Sequence, residues 1–184
     1  MRVISGSQKG IKLKFPKSKN TRPMTDRAKE GLFSVIIFEI EGANVLDLYA
    51  GSGSLGIEAL SRGAQNATFV DYDKESIKTI QENLRNTGFL SKSNIIRGKV
   101  EDFLAHSTSS GQANDDCFDI IFFAPPWKEL NFEVLKRANK LLVKNGILVL
   151  ESFKKTEIPE RFDSFSLIKQ KLYGDTKISF FKAC

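Results

Sequence analysis

The chain is poor in the residues that build metal centres and disulfide frameworks. Its 184 residues include two cysteines, Cys117 and Cys184, with no CxxC pair, and one histidine, His106. Because zinc sites and histidine-based catalytic triads need several such side chains together, we expect no metal site and no histidine triad. Two cysteines also give no indication of a disulfide framework. We interpret Cys117 as a core residue and His106 as a solvated residue of a polar loop over residues 106–116.

Long apolar runs are absent as well. No run approaches the roughly 20 residues that a membrane span needs, and the first ten residues lack the apolar stretch of a signal peptide. We therefore expect a cytoplasmic protein that does not enter a membrane. With 184 residues, of which 41% are hydrophobic, the chain is long enough for one core and too short for two full domains.

Acidic residues are nearly absent from the first 29 positions, where nine Lys and Arg side chains accompany a single acid, Asp26. This segment carries a charge of +8 in a chain whose net charge is +6, so the remaining residues sum to −2. Basic side chains clustered in this way neutralise nucleic-acid phosphates and release counterions. A solubilising tail is the alternative. The residues that we expect to contact nucleic acid are Arg2, Lys9, Lys12, Lys14, Arg22 and Arg27.

The basic segment is not of low complexity, because apolar residues partly alternate with polar ones around Gly6 and Gly10, as in a β-hairpin. We predict a basic N-terminal β-hairpin extension over residues 1–24 and a single domain over residues 25–184. The domain begins with a helix that runs to about Ile40. Thr25 is expected to cap this helix, and Asp26 suits the positive end of its dipole.

Beyond Gly42 the pattern alternates between strands and helices. Strands are predicted at residues 44–49, 67–71, 94–97, 119–123 and 147–151, and helices at residues 55–62, 74–86, 100–105 and 131–144. This alternation is typical of a parallel sheet with helices on both faces. Two last strands, at residues 164–172 and 176–182, flank a short turn and predict an antiparallel hairpin. The predicted fold class is therefore α/β, Rossmann-like, with a seven-stranded and mostly parallel sheet. The polar residues 107–114 are a candidate for local disorder.

A glycine turn follows the first of these strands, in the sequence VLDLYAGSGSLG that ends at Gly56. Glycines let the backbone turn sharply before a helix and leave room for a ligand against main-chain N–H groups. An acid four residues before the turn resembles motif I of Rossmann-like methyltransferases, where this region approaches the methionyl part of the cofactor. The residues that we expect there are Asp47, Gly51, Ser52 and Gly53. The glycines also fit a dinucleotide fingerprint, so an oxidoreductase with a nicotinamide cofactor is an alternative, which leaves Asp47 unexplained.

A second acid, Asp71, ends the next strand, where a carboxylate accepts hydrogen bonds from both hydroxyls of a nucleotide ribose. Asp73 is expected to cap the following helix. Lys99 and Val100, after the third strand, are expected to lie beside an adenine. With the glycine turn, these residues predict S-adenosylmethionine as the cofactor.

Two prolines follow the fourth strand, in Ala124-Pro125-Pro126-Trp127, and fix the backbone at the edge where open α/β sheets bind ligands. The segment resembles the Asp/Asn-Pro-Pro-aromatic motif of methyltransferases that act on exocyclic amines. In that motif the polar residue and a proline-region carbonyl hold the amine, and the aromatic ring stacks on the flipped base. Trp127 fits the stacking role, whereas Ala124 replaces the polar residue. We expect these four residues to form the catalytic site.

Over nearly the whole chain, the order and spacing of motifs resemble those of the bacterial small-subunit (16S) ribosomal RNA guanine-N2 methyltransferases. The motifs are residues 2–13, Thr21-Arg22-Pro23 with Thr25-Asp26-Arg27, residues 46–60, Pro-Pro-Trp, Glu151 and Tyr173-Gly174-Asp175-Thr176. The resemblance implies a class I methyltransferase fold and transfer of a methyl group from S-adenosylmethionine to the N2 amine of one guanine in small-subunit ribosomal RNA. It also implies that the RNA is recognised within an assembled or assembling subunit, and we expect the enzyme to act as a monomer.

Two positions depart from the family pattern. Lys99 stands where related enzymes often carry an Asp that contacts the adenine amine, and Ala124 stands where they carry an acid or an amide. These departures leave open a catalytically weak or inactive assembly factor of the same fold that binds the cofactor and RNA. A DNA amine methyltransferase is a further alternative, because a Pro-Pro-aromatic motif and a basic segment also suit DNA.

Overall fold

One sheet organises the computed structural model, which describes residues 1–16, 24–107 and 117–183. Within this part of the chain the strands are β1 (Asn44–Leu48), β2 (Asn66–Asp71), β3 (Ser93–Arg97), β4 (Phe118–Phe123), β5 (Leu142–Phe153), β6 (Arg161–Phe162), β7 (Phe165–Tyr173) and β8 (Thr176–Ala183). Their order is β3-β2-β1-β4-β5-β8-β7-β6. The first five strands are parallel, and β8, β7 and β6 follow as antiparallel neighbours. The predicted α/β class is confirmed, and the two-residue edge strand β6 adds to the seven strands expected.

Helices cover both faces of the sheet. They are α1 (Asp26–Val35), α2 (Ser54–Ser61), α3 (Lys74–Thr87), α4 (Val100–Ser107) and α5 (Phe132–Ala138). Side chains of α1, α2 and α3 share one apolar cluster with one face of the sheet, and side chains of α4 and α5 share a second cluster with the other face. Among the helices described, none is both long and apolar enough to cross a membrane.

The helix caps follow the prediction, whereas two helix ends do not. The Thr25 hydroxyl accepts a hydrogen bond from the Ala28 N–H, as expected of a cap. However, α1 ends at Val35 instead of near Ile40, because the chain turns from Ile36 towards β1. The helix predicted over residues 131–144 ends at Ala138, and its last residues lie in a 3₁₀ turn and in β5, where Leu142 pairs with Phe118. A short apolar run fits a buried strand as well as a helix.

The expectations for the polar loop are corrected in part. His106 lies in the last turn of α4 instead of a loop, with Nδ1 2.6 Å from the Asp102 carbonyl oxygen. Cys117 is half-buried just before β4, not fully enclosed in the core. Residues 108–114 of the stretch considered for disorder lie outside the described residues.

The N-terminal segment, residues 1–16, folds back on itself through one antiparallel bridge between Arg2 and Lys12. The Val3 N–H donates to the Ile11 carbonyl (2.9 Å) and the Leu13 N–H to the Met1 carbonyl (3.2 Å). The hairpin expected there is thus a short one, without two extended strands. Val3 and Leu13 are buried in the apolar cluster that α1, α2 and α3 share. The segment therefore packs as part of the molecule's core.

A buried carboxylate on α2 fixes this segment. Glu58 is fully buried, and its two oxygens accept hydrogen bonds from the Ile4 N–H (2.7 Å) and the Ser5 N–H (3.0 Å). The same carboxylate forms ion pairs with Lys29 Nζ (3.2 Å) and Arg62 Nε (2.8 Å). Buried charges are tolerated when they are paired and hydrogen-bonded in this way.

Lys29 belongs to the basic first 29 residues but has a structural position. Its side chain is 1% exposed, and Nζ also donates a hydrogen bond to the Arg2 carbonyl (2.6 Å). Burial lowers the pKa of Lys29, and the neighbouring Glu58 carboxylate opposes this shift. The ammonium therefore ties α1 to α2 and to the N-terminal segment, and it does not contribute to a basic surface.

We predict that Glu58→Ala destabilises the protein by about 3–5 kcal/mol, the usual cost of removing one partner of a buried ion pair. Urea unfolding measures this change. Glu82→Ala is the matched control, because Glu82 also pairs with a lysine, Lys14 (3.0 Å), but on the exposed surface. It should change the unfolding midpoint little. Equal, small effects of both substitutions would contradict the assigned role of Glu58.

Candidate active site

Three neighbouring strands, β2, β1 and β4, end side by side at one edge of the sheet. The last residue of β1, Leu48, is in register with Val70 of β2 and with Phe123 of β4. Beyond the strand ends, the Ala50 N–H donates to the Val70 carbonyl (3.1 Å), and the Ala124 N–H donates to the Leu48 carbonyl (3.4 Å). The glycine turn and the Pro-Pro-Trp segment therefore leave the sheet next to each other.

The glycines of the turn serve different purposes. Gly51 and Gly53 have φ values of 56° and 74°, a region that glycine enters without a steric cost. A Cβ atom at Gly51 would meet only the Tyr49 carbonyl oxygen, at 4.0 Å, so this side of the turn faces open space. A Cβ at Gly56 would lie 2.3 Å from the Phe69 ring. Gly56 is therefore required for packing, whereas Gly51 leaves room for a ligand.

Asp47 holds the turn from inside the sheet. It is buried, and Oδ2 accepts a hydrogen bond from the Gly56 N–H (2.9 Å). Burial raises the pKa of Asp47 to about 8, the Gly56 N–H opposes that shift, and the nearby Asp71 carboxylate adds to it. The carboxyl group is therefore largely protonated at neutral pH and links β1 to α2.

Asp71, at the end of β2, lies against the same turn. Its Oδ2 accepts the Gly51 N–H (2.7 Å) and its Oδ1 accepts the Asp73 N–H (2.9 Å). Burial raises the pKa of Asp71, and these backbone N–H groups oppose the shift. The two carboxylate oxygens have four lone pairs between them, so the group keeps capacity for a further donor. The Asp73 cap of α3 is confirmed, since its carboxylate accepts the Ser76 N–H (2.9 Å).

The other predicted cofactor residues lie around these acids. Ser52 is buried, with Oγ 3.9 Å from Met1 Sδ, so its side chain points towards the N-terminal segment. Lys99 is exposed, and its carbonyl accepts the Phe103 N–H (3.0 Å) at the start of α4. Val100, the first residue of α4, is buried. The Gly98 N–H donates to the Asp71 carbonyl (3.1 Å) and so joins the ends of β2 and β3.

One contact at this edge was not anticipated from the sequence. Tyr49 has a positive φ of 59°, and its hydroxyl donates to Glu101 Oε1 of α4 (2.9 Å). Its ring packs edge-on against Phe123, with centroids 5.2 Å apart. Tyr49 therefore connects the glycine turn with α4 and with the end of β4. An unusual backbone angle of a non-glycine residue leaves no signal in a single sequence.

The four residues predicted to form the catalytic site, here called the acceptor-site residues, lie directly beyond β4. Ala124, Pro126 and Trp127 are half-buried, and Pro125 is buried. The Pro126 carbonyl accepts the Glu129 N–H (2.7 Å), whereas the Pro125 carbonyl makes no hydrogen bond within the described part of the chain. The Trp127 ring packs against Phe153, at the end of β5, with centroids 5.1 Å apart. Phe153 supports the indole and was not identified from the sequence, because 26 positions separate the two rings along the chain.

The basic residues are distributed along the N-terminal segment. Arg2 pairs with Asp26 (3.2 Å) and Lys14 pairs with Glu82 (3.0 Å), both on the surface. Lys9 and Lys12 form no ion pair with any described residue. Arg22 lies outside the described residues. The charge available to phosphates is therefore largest at Lys9 and Lys12.

These lysines differ in their distance from the glycine turn. Met1 contacts Ser52 in the turn, whereas the Gln8 N–H donates to Ser61 Oγ at the other end of α2. An eight-residue helix is about 12 Å long at 1.5 Å per residue. Lys9 therefore lies at the far end of α2, and Lys12, which pairs with Arg2, lies nearer to the turn.

Arg27 lies at the sheet edge that carries the glycine turn. It lines a cleft together with Thr25 and the β7–β8 turn, from Tyr173 to Thr176. Thr176 pairs with Phe153, the residue that supports Trp127. The cleft is therefore next to the acceptor-site residues. Within the described residues, no group of three or more His, Cys, Asp or Glu side chains is placed to hold a metal ion.

The strand order, the glycine turn after β1, the acid that ends β2 and the Pro-Pro-aromatic segment after β4 together define a Rossmann-like protein with the class I methyltransferase fold. Within this class, the chain belongs to the family described as Conserved hypothetical protein 95, whose model matches residues 1–182.

Curated relatives and a solved structure are similar to this chain over nearly its full length. The chain is 37% identical to YlbH of Bacillus subtilis over 185 residues, which cover 99% of this chain and 98% of YlbH. It is 33% identical to ribosomal RNA small subunit methyltransferase D of Haemophilus influenzae over 183 residues, 95% of this chain and 89% of the relative. The structure of Escherichia coli yhhF superposes with a TM-score of 0.84 at 29% identity, covering 100% of this chain and 97% of that one.

The buried carboxyl of Asp47 gives a testable pH dependence. A carboxyl whose pKa is raised in the folded state, here to about 8, binds its proton more tightly than in the unfolded chain, where the pKa is about 4. Its contribution to stability is therefore lost as the pH rises through this window. We predict that Asp47→Asn, which keeps an oxygen for the Gly56 N–H, matches the wild-type Tm near pH 4 and increasingly exceeds it as the pH rises to 8.

Thermal unfolding between pH 4 and pH 8 measures this difference. Asp73→Asn is the control, because it removes another acid of the same edge and keeps a helix-capping side chain. An Asp47→Asn variant whose Tm declines with pH as steeply as that of the wild type would contradict the prediction.

Proposed function

We propose that this chain transfers a methyl group from S-adenosylmethionine to the exocyclic N2 amine of a guanine in small-subunit ribosomal RNA. The observation that carries the proposal is the contact between the Ala124 N–H and the Leu48 carbonyl (3.4 Å). It brings the start of the acceptor motif beside the strand end from which the glycine turn leaves. A methyl donor bound at the glycine turn and a guanine amine bound at Pro125 and Pro126 would therefore meet at adjacent strand ends.

The residues at the turn fit S-adenosylmethionine. Gly51 leaves open space on its ligand side, and Asp71 is held by two backbone N–H groups with lone pairs left for the ribose hydroxyls. Gly51, Gly53 and the backbone of Ser52 would hold the methionyl part, and Asp47 would act through the turn that it fixes from inside the sheet. Lys99 and Val100 would lie beside the adenine, where the Val100 N–H can serve the base edge. The cofactor supplies a methyl group on a positively charged sulfur.

The acceptor side would position the guanine. The Trp127 ring, backed by Phe153, offers a face on which a flipped base can stack. The Pro125 carbonyl is the acceptor that we assign to an N2 hydrogen, because the Pro126 carbonyl already accepts the Glu129 N–H. Such positioning can supply up to roughly 7–11 kcal/mol of the barrier. No strong base is needed, since the nitrogen can lose its proton after attack.

The choice of substrate rests on the relatives and on the basic residues. Relatives from Haemophilus influenzae and Escherichia coli, 33% and 32% identical, are named ribosomal RNA small subunit methyltransferase D. We propose that residues 1–24 form an RNA-binding extension of the domain over residues 25–184. We further propose that the enzyme acts in the cytoplasm, as a monomer, on an assembled or assembling subunit.

The proposal is tested by incubating small ribosomal subunits from cells that lack this protein with S-adenosylmethionine. Digestion of the RNA and mass spectrometry should show a new N2-methylguanosine at one site. Methylation of another atom, or of DNA in place of ribosomal RNA, would overturn the substrate assignment. Binding of the cofactor and of subunits without any methyl transfer would favour the assembly factor of the same fold.

Because Lys12 lies nearer to the glycine turn than Lys9, we expect charge reversal at Lys12 to weaken RNA binding more than charge reversal at Lys9. Lys12→Glu should weaken binding to small subunits and flatten its salt dependence, because phosphate contacts release counterions. Lys9→Glu, an identical charge change at the far end of α2, is the matched control and should have the smaller effect. Filter binding at several salt concentrations measures both. Equal losses would contradict RNA binding on the side of α2 nearer the glycine turn, and no loss for either variant would contradict RNA binding by residues 1–24.

Ala124 should limit the chemical step, because an amine held by one carbonyl is less well aimed than one held by a carbonyl and a side-chain acceptor. We predict that Ala124→Asp raises single-turnover methylation by roughly one to two orders of magnitude at little changed cofactor affinity. Ala124→Val adds similar bulk without an acceptor and should give no gain. A folded Ala124→Asp protein that binds the cofactor and is no faster than the wild type would contradict this role.

A further inference from the structure

Asn83 is a buried amide on α3 that contacts two backbone segments at once. Oδ1 accepts the Lys14 N–H (2.8 Å), and Nδ2 donates to the Lys14 carbonyl (3.0 Å) and to the Ser52 carbonyl (2.9 Å). Both amide hydrogens are therefore used. One of them is bonded to the basic N-terminal segment and the other to the glycine turn.

Further contacts join the same two segments. Met1 Sδ lies 3.9 Å from Ser52 Oγ, again between the N-terminal segment and the turn. The helix that begins at the turn, α2, carries Glu58, whose carboxylate holds the Ile4 and Ser5 N–H groups. The N-terminal segment thus lies against the glycine turn and α2.

We infer that Asn83 is a positioning residue through which RNA bound to the N-terminal segment and cofactor bound to the glycine turn strengthen each other's binding. The inference rests on the proposed function, because it assigns RNA to Lys12 and Lys14 and S-adenosylmethionine to Gly51. It adds to that function a coupling between the two binding affinities: the cofactor binds more tightly to the protein when the subunit is bound.

The sign of the coupling follows from the shared amide. RNA that holds the Lys14 backbone in place also fixes Asn83, and a fixed Asn83 leaves less freedom for the Ser52 carbonyl. The cofactor then finds a turn that is already ordered, so its binding has a smaller entropic cost. Coupling between two binding equilibria is reciprocal, so the cofactor must strengthen subunit binding by the same factor.

Equilibrium dialysis of radiolabelled S-adenosylhomocysteine, with and without small subunits from cells lacking the protein, tests the inference. For the wild type, saturating subunits should lower the Kd of S-adenosylhomocysteine about fivefold or more, within the usual range of such couplings. Asn83→Asp keeps the acceptor for the Lys14 N–H but loses both donors and places a carboxylate beside two carbonyls. It should bind S-adenosylhomocysteine more weakly and lose the effect of subunits.

Thr79→Val is the matched control, because Thr79 is buried one turn earlier on α3 and its hydroxyl donates to the Glu75 carbonyl of its own helix, away from Asn83. It should keep the wild-type coupling even where its Tm falls as far as that of Asn83→Asp. The inference is overturned, and the proposed function stands, if wild-type protein binds both partners without coupling or if Asn83→Asp retains it. If Asn83→Asp does not fold, the test rests on the wild type, and an S-adenosylhomocysteine Kd that subunits leave unchanged overturns the inference. If the wild type binds neither partner, the proposed function itself fails.

Discussion

The parallel pairing of β1 with β2 on one side and β4 on the other is the constraint on which the candidate site depends. Because the three strands run in the same direction and stay in register to their last residues, their carboxyl ends lie in one row. Asp71 ends one strand, the glycine turn follows the second, and Ala124 follows the third. A slip of β4 against β1 would separate the prolines from the turn and turn inward-facing side chains outward.

The buried polar groups around the turn connect this edge to the rest of the molecule. Asp47 ties β1 to α2, and Asp71 ties β2 to the turn. Glu58 and Asn83 then attach the N-terminal segment to α2 and α3. Low local dielectric strengthens satisfied networks of this kind, so the basic segment has a defined position relative to the residues proposed to bind the cofactor.

Much of the fold could be predicted because it follows from local patterns. The alternation of strands and helices, the caps at Thr25 and Asp73 and the glycine turn each depend on residues close together in sequence. The strand order places the turn beside Pro-Pro-Trp, as the general rule for open α/β sheets predicts. The helix predicted over residues 131–144 is correct to Ala138 and wrong beyond it, because a short apolar run in a core fits a helix or a buried strand equally well.

The features that escaped prediction depend on partners far apart in the chain. In the sequence, Lys29 is one of the basic residues of the first 29 positions. In the structure, its side chain is buried and forms an ion pair with Glu58. The support of Trp127 by Phe153 and the bond from Tyr49 to Glu101 likewise join residues of different elements. In the sequence, Asn83 is one polar residue among others in a predicted helix. Only the structure shows that its side chain bonds to the backbone of Lys14 and of Ser52.

We propose that the methyl donor and the guanine amine meet at the shared edge of β2, β1 and β4. A crystal structure of the protein with S-adenosylhomocysteine tests it most directly. We expect ribose hydroxyls within about 2.5–3.0 Å of the Asp71 carboxylate oxygens and a sulfur that faces the segment from Ala124 to Trp127. A ligand bound away from Asp71, or with its sulfur directed away from the prolines, would contradict the account.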